Sequence, residues 1–279
     1  MFRIRKMALE DFDFAVRLSD TMNWGLAEGD FEFMTKLEPD GCFVLLHDSE
    51  RIGIATTISY GQVGWLGNVI VNEKYRRKGG GSLLVKYAIE YLMNRGVETI
   101  GLYGYLERAP FYAMNDFQYD SKFLVLRGEG FSASTKARLK KAEKDDIQQI
   151  VDLDRLYFGA SRKRLLEPIL LDPENLCYTS TDGARLLGFA VAKVYDRVAE
   201  IGPLVCERGY DDIAVDLLKA IIERLEGHEV SLCVPEKESR TLNMLTRYGF
   251  KEAFPLARMF RGKPVVGNQI YVAESLERG

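Results

Sequence analysis

Arg76-Arg77-Lys78-Gly79-Gly80-Gly81-Ser82 is the stretch whose residue types and spacing carry chemistry most directly. Successive glycines let backbone N–H groups turn towards one point with no Cβ in the way. Three basic side chains stand beside them. The apolar residues that follow, Leu83, Leu84, Tyr87, Ala88, Tyr91 and Leu92, recur at helical spacing. The loop therefore opens a helix, whose N-terminus adds a partial positive charge. Together these features describe a cradle for a pyrophosphate. A Gly-rich turn beside a solvated charge run is the other reading. The spacing fits neither G-x-x-x-x-G-K-[ST] nor G-x-G-x-x-G, which argues against nucleotide hydrolysis and dinucleotide binding.

The elements that must position this loop can be read from its flanks. Phe2–Arg5 reads as a strand, and Asp11 as the cap of a helix carrying Phe12, Ala15, Val16 and Leu18. A second helix covers Phe31–Leu37 and stops before Pro39. Cys42–Leu46, Gly53–Ser59 and Gly64–Val71 read as strands, and the third leads into the loop. The long helix ends at Gly96. Val97–Tyr103 is a further strand, Ala109–Asn115 a short helix and Phe123–Leu126 a closing strand. The order is β-α-α-β-β-β-α-β-α-β. Strands joined by short turns are expected antiparallel. The unit from Gly64 to Tyr103 needs a right-handed crossover and a parallel pair. The fold class is α/β with a mixed, mostly antiparallel sheet flanked by helices.

The chain repeats itself. Residues 53–71 align without a gap on residues 188–206, so that Gly53 meets Gly188, Ala55 meets Ala190, Tyr60 meets Tyr195, Val63 meets Val198 and Gly67 meets Gly202. Asp11 likewise meets Asp146, Arg3–Lys6 meets Arg138–Lys141, Phe117 meets Phe250, and Arg127-Gly128 meets Arg261-Gly262. A chain of 279 residues suits two such domains. The boundary falls in the Gly/Ser-rich stretch Gly128–Thr135, giving domains 1–130 and 131–279.

The order of elements, the R-x-x-G-x-G loop (Arg76, Gly79, Gly81) and the aromatic helix ending in Phe117 resemble the GNAT superfamily of N-acetyltransferases. The whole chain resembles tandem-GNAT proteins with a diverged C-terminal copy. In those the second copy ends in an R-M-x-x-G segment, here Arg258-Met259-Phe260-Arg261-Gly262. The resemblance implies acetyl-CoA as cosubstrate. Val69, Ile70 and Val71 would offer backbone groups to the pantetheine arm and the thioester carbonyl. Arg76, Arg77, Lys78, Gly79, Gly80, Gly81 and Ser82 would hold the pyrophosphate. Tyr112, in Tyr112-Ala113-Met114-Asn115-Asp116-Phe117, falls where the family's general acid sits, and Asp116 replaces the usual Gly of that segment. The implied reaction is direct attack of a primary amine on the thioester in a ternary complex. The alternative is a coenzyme-A-binding sensor without turnover.

Such a reaction must take a proton from the amine, give the oxyanion a fixed donor and protonate the leaving thiolate. No carboxylate lies on Gly64–Val71, and Glu107 is the nearest in sequence to the Tyr112 helix, so it is the candidate base. Trp24 and Trp65 are candidates for the acceptor pocket or for the core. In the second copy the loop glycines meet bulky residues such as Ile213 and Val215, Asp211 and Asp212 repel a pyrophosphate, and Leu245 stands in place of Tyr112. That copy is expected to be non-catalytic. Its Asp211, Asp212 and Asp216, and its Arg162, Lys163 and Arg164, read as solvated charge or as substrate contacts.

The net charge of −3 gives no field to hold nucleic acid. That argues against an aminoacyl-tRNA-dependent transferase, another class with paired domains of this kind. Four scattered cysteines without a C-x-x-C pair read as buried free thiols in a reducing, cytoplasmic compartment. Two histidines and no cysteine cluster make a metal site unexpected. There is no signal-peptide core and no membrane-length apolar run. The expected partner is a small-molecule or peptide amine. A monomer is favoured over a dimer, because two fused copies can pair within one chain.

Overall fold

The structure is a computed structural model that describes residues 1–131, 139–264 and 270–279. The first half runs β1 (Phe2–Lys6), α1 (Phe12–Asp20), α2 (Glu28–Leu37), β2 (Cys42–His47), β3 (Glu50–Ser59), β4 (Val63–Val71), α3 (Gly80–Asn94), β5 (Thr99–Tyr105), α4 (Ala109–Ala113) and β6 (Gln118–Glu129). The second half repeats the order as β7 (Leu139–Lys141), α5 (Ile147–Phe158), α6 (Lys163–Leu171), β8 (Leu176–Asp182), β9 (Arg185–Tyr195), β10 (Val198–Cys206), α7 (Asp211–Arg224), β11 (Glu229–Pro235), α8 (Ser239–Arg247) and β12 (Lys251–Arg261). It then adds a strand with no counterpart in the first half, β13 (Ile270–Val272).

The element order matches the sequence reading, with shifts at the ends. In α3 the buried stripe is Leu84, Val85, Ala88, Ile89 and Leu92, whereas Leu83 and Tyr87 face solvent. Asp11 does not cap α1 with its own carboxylate. The carboxylate turns back to accept from the Ala8 backbone N–H at 2.8 Å and to pair with Arg5, where burial alone would be costly.

All strands join one sheet in the order β1-β2-β3-β4-β5-β12-β6-β11-β10-β9-β8-β7, with β13 paired to β10. Two pairs, β4/β5 and β10/β11, are parallel and the rest antiparallel. The closing strands do not close their own halves. β12 lies between β5 and β6, and β6 lies between β12 and β11. Each half thus lends its closing strand, β6 or β12, to the other, and neither has a free edge. The expected linker starts inside this exchange. Gly128 and Glu129 belong to β6, and the Gly130 N–H bonds the His228 carbonyl at 3.1 Å. Ser132–Thr135 and Arg138 lie outside the described residues.

Helices cover both faces of the sheet. On one face, Phe12, Phe31 and Met34 share a single core with Phe158, Leu165 and Ile169 from the other half. Fully buried Trp65 lies 6.2 Å from Phe158 and 6.0 Å from Phe260. Two residues of the Arg162–Arg164 cluster belong to this seam, and Lys163 is exposed. Arg162 is wholly buried, forms a two-point pair with Asp154 and lies 4.1 Å above the Phe158 ring. Arg164 donates to the carbonyls of Leu37 and Ser59 in the first half. All four cysteines are buried and unpaired, and burial pushes the Cys42 and Cys206 thiols up to about 12. Among the described residues no helix is long and apolar enough to cross a membrane.

Candidate active site

β4 and β5 are hydrogen-bonded only from Val63 to Trp65 against Thr99 to Gly101. Beyond that they part, and a cavity of about 860 Å³ opens between them. The parting follows from a bulge. Pairing of β3 with β4 steps from Ile54↔Ile70 to Thr56↔Gly67, so β4 has one extra residue. Asn68 takes a φ of 49° there, and its amide donates to Thr56 Oγ1 at 3.2 Å. A bulge bends the strand and removes a residue from the ladder, leaving backbone groups for another partner. Val69, Ile70 and Val71 form this wall of the cavity.

The Gly-rich loop closes one end. Gly79 has φ +90° and is the residue before α3, a conformation that side chains rarely adopt. Gly81 and Ser82 line the cavity on the first turn of α3, where a helix has unpaired N–H groups and the positive end of its dipole. Arg76 and Arg77 line it too, and Arg76 Nε donates to the Val71 carbonyl at 2.9 Å. Two of the expected loop residues stand away from the cavity wall. Lys78 Nζ lies 5.1 Å from the centre of the Tyr75 ring, and Gly80 packs against Leu45 and Phe2.

Tyr112 sits on α4 and lines the cavity opposite β4. It is held edge-on between Phe111 and Phe117, at 5.1 and 6.1 Å. Burial pushes its hydroxyl up to about 12, against a small opposing pull from Arg108. Asp116 takes φ +65°, the conformation that Gly249 adopts at +89° in the second half. Aspartate tolerates this region better than most residues, so its replacement of the expected glycine leaves the turn intact.

Glu107 is not in the cavity. It is exposed on the turn Leu106–Arg108, of which Arg108 and not Glu107 lines the cavity. Among the described residues of the wall the carboxylates are Glu73, exposed beside the loop, and Glu277. Glu277 belongs to the segment Glu274–Gly279, which sequence reasoning passed over. Trp65 Nε1 donates to the Leu276 carbonyl at 3.2 Å, and the Tyr60 hydroxyl to the Arg278 carbonyl at 2.8 Å. Gly67 permits this approach, because a Cβ there would fall 2.6 Å from Glu277 Cα. Trp24 also lines the cavity, donating from Nε1 to the Tyr105 hydroxyl at 2.9 Å, whereas Trp65 is core.

The second half has the same bulge and the same parting. Pairing of β9 with β10 steps from Ile201↔Ala192 to Leu204↔Ala190, and β10 pairs with β11 only from Val198 to Ile201. Here the gap is filled by the chain itself. β13 pairs with β10, and the Ala273 N–H donates to the Cys233 carbonyl of β11 at 2.9 Å. The α7 N-terminus follows a loop shorter than its counterpart. Tyr210 therefore precedes the helix where Gly79 does in the first half, and Ile213 and Val215 fall inside α7. The acidic residues there are engaged: Tyr271 donates to Asp211 at 2.5 Å and Arg240 pairs with Asp212 at 2.8 Å. Leu245, in place of Tyr112, is fully buried.

Residues 6–116 match the acetyltransferase (GNAT) family, and residues 150–271 match a second acetyltransferase (GNAT) domain family. The chain is 24% identical over 280 residues to the holothin acyltransferase of Pseudoalteromonas sp. (strain SANK 73390), covering 98% of this chain and 92% of that one. Among solved structures, a candidate acetyltransferase of Pyrococcus horikoshii is similar with a TM-score of 0.83 at 21% identity, over 100% of this chain and 96% of that one. A tandem GNAT protein from the clavulanic acid biosynthesis pathway is similar with a TM-score of 0.62 at 12% identity, over 95% and 100% of the two chains.

Proposed function

Because this chain belongs to the GNAT family of acyltransferases through both of its halves, we propose that its first half moves an acetyl group from acetyl-CoA to a primary amine. One observation carries the reading. The bulged edge of β4, the first turn of α3 and the Tyr112 ring wall a single cavity between parted strands. Arg76, Arg77 and the N–H groups around Gly81 and Ser82 suit a pyrophosphate. The edge at Val69–Val71, which pairs with no strand on the cavity side, suits an extended arm carrying amide groups, as a strand does.

The chemistry follows from the walls. A neutral amine attacks the thioester carbonyl, and the negative charge that develops on oxygen needs a fixed donor. The β4 bulge supplies backbone N–H groups for it. Collapse breaks the C–S bond, and Tyr112 gives its proton to the thiolate. Burial of Tyr112 keeps that proton on the ring until it is needed. Glu107 has no part in this scheme, since it stands outside the cavity.

We take residues 1–130 as the working copy and residues 131–279 as a non-catalytic one. The gap that would hold the arm in the second copy contains β13, and its Tyr112 position holds Leu245. The four buried free thiols support a reducing, cytoplasmic setting. The fused pair of halves, with no free closing strand, supports a monomer.

Calorimetric titration of acetyl-CoA tests the reading. One binding event per chain is expected for the native protein, lost when Gly79 and Gly81 are both replaced by Glu. Thiol release with a panel of primary amines then tests transfer. Binding without thiol release would favour a coenzyme sensor. Absence of binding would sink the assignment, and two events per chain would restore the second copy as a working site.

A further inference from the structure

An alkylammonium carries its proton at neutral pH, and the reading above leaves that proton without a taker. The cavity has a carboxylate at the end away from the loop. It is Glu277, 13% exposed and carried on a segment whose backbone is anchored three times, through Trp65, Tyr60 and Arg162. Its surroundings are charged on one side and aromatic on the other. Arg278 Nη1 pairs with it at 2.8 Å, but Arg278 also serves Glu274, with Nε 3.0 Å from the carboxylate. Lys193 serves Glu274 at 2.7 Å and Glu200 at 2.8 Å. This linked set holds two cations against three carboxylates, and of the three acidic residues Glu277 is the one that lines the cavity. Trp24, Tyr103, Tyr105 and Phe254 form the other side. A carboxylate facing aromatic rings is a setting for a cation with an apolar body.

We propose that Glu277, supplied by the second half, binds the acceptor as an ammonium ion and takes its first proton. The assignment rests on the transferase reading of the cavity. The ammonium N–H proton passes to a Glu277 carboxylate oxygen, directly or through one water. The freed lone pair forms the C–N bond, and the C–S bond breaks. The second nitrogen proton replaces the one that Tyr112 gives to the thiolate. Glu277 returns its proton to solvent, so one proton leaves per turnover. Burial raises the Glu277 carboxyl above the ordinary carboxylate range, with Glu200 and Glu274 pushing the same way and Arg278 and Lys193 pulling it down. Among the described residues, the titratable groups of the cavity wall away from the loop are also Tyr103, Tyr105, Arg108 and Tyr112. A raised carboxyl is a better proton acceptor near neutral pH.

The test uses the full chain, with benzylamine and uncharged benzyl alcohol as probes. Calorimetry on the CoA-saturated protein compares the native chain with Glu277→Gln. CoA affinity is expected to be unchanged, and benzylamine affinity to fall about 10-fold or more, with no change for benzyl alcohol. Acetyl transfer to benzylamine is expected to drop about 100-fold at pH 7. The deficit shrinks towards about pH 9.5, where solution supplies more neutral amine, and Glu277→Asp recovers part of it. Equal benzylamine affinity and turnover in the two proteins would overturn the proposal. So would a loss that is the same at every pH, or a native CoA complex that does not bind benzylamine. Failure of the native protein to bind CoA would overturn the reading beneath it as well.

Discussion

In the proposed reaction Tyr112 is the single side chain with most to do. It packs between Phe111 and Phe117, and the burial that raises it to about 12, against the pull of Arg108, keeps the phenolic hydroxyl protonated. The sign matters for its role. A raised folded-state value keeps the proton available below about pH 12, so the alkaline side of the rate profile is not set by Tyr112. Tyr112→Phe is expected to keep acetyl-CoA affinity in calorimetry and to lose kcat by roughly 100-fold or more in thiol release. A variant that lost affinity with unchanged kcat would make Tyr112 a packing residue. The position was legible because it is local, five residues before Phe117 on a short helix. Its companion Glu107 was read with the same logic of nearness, and it stands outside the cavity lining. A residue adjacent in sequence to α4 need not share its inward face: within the turn Leu106–Arg108, Arg108 lines the cavity while Glu107 is exposed and does not.

At the scale of elements, the two bulged strands have different fates. β4 and β10 each take one extra residue and part from the next strand. One gap stays open as the cavity, and the other receives β13. The matching glycines tie the two together. A Cβ on Gly202 would fall 1.9 Å from the Ala273 carbonyl, and one on Gly67 would fall 2.6 Å from Glu277 Cα. The same stretch of chain crosses both bulges, so both need a residue without a side chain. Gly67→Ala is expected to destabilise the fold by about 1–3 kcal/mol through overpacking against backbone. It should also shift Glu277, lowering amine turnover while acetyl-CoA still binds. Chemical denaturation and single-turnover kinetics check the two parts, and an unchanged turnover would separate the segment from the reaction. The pairing of Gly67 with Gly202 was visible in the repeat. It was the one sequence signal that something approaches both strands closely.

For the whole molecule, the exchange of β6 and β12 and the core shared across the seam make two copies into one body. Breaking either half exposes strand edges and leaves buried charges without partners, such as Arg258 of β12, which pairs with Asp120 of β6 at 2.7 Å, a loss that is strongly destabilising. Scanning calorimetry is therefore expected to give one cooperative transition, with an enthalpy of roughly 200 kcal/mol near 60 °C for a chain of this size. Two resolved transitions would mean that the halves unfold independently. Whatever its own chemistry, the second half is needed by the first, since it contributes β12 to the neighbourhood of β5 and Glu277 to the cavity.

The sequence by itself determined what depends on local pattern. Strand and helix periodicities, the turn at Gly79, the basic residues before it and the internal repeat all lie within short windows, where backbone preference and spacing decide the outcome. Tertiary structure alone decided which strands are neighbours, because a closing strand with suitable alternation pairs equally well with either half until the cores pack. That choice set β12 beside β5 and β13 inside the second gap. It brought Glu277 to the cavity of a half from which it is distant in the chain. No periodicity or motif records such a contact, since its physical basis is the close approach of two backbones across a packed seam.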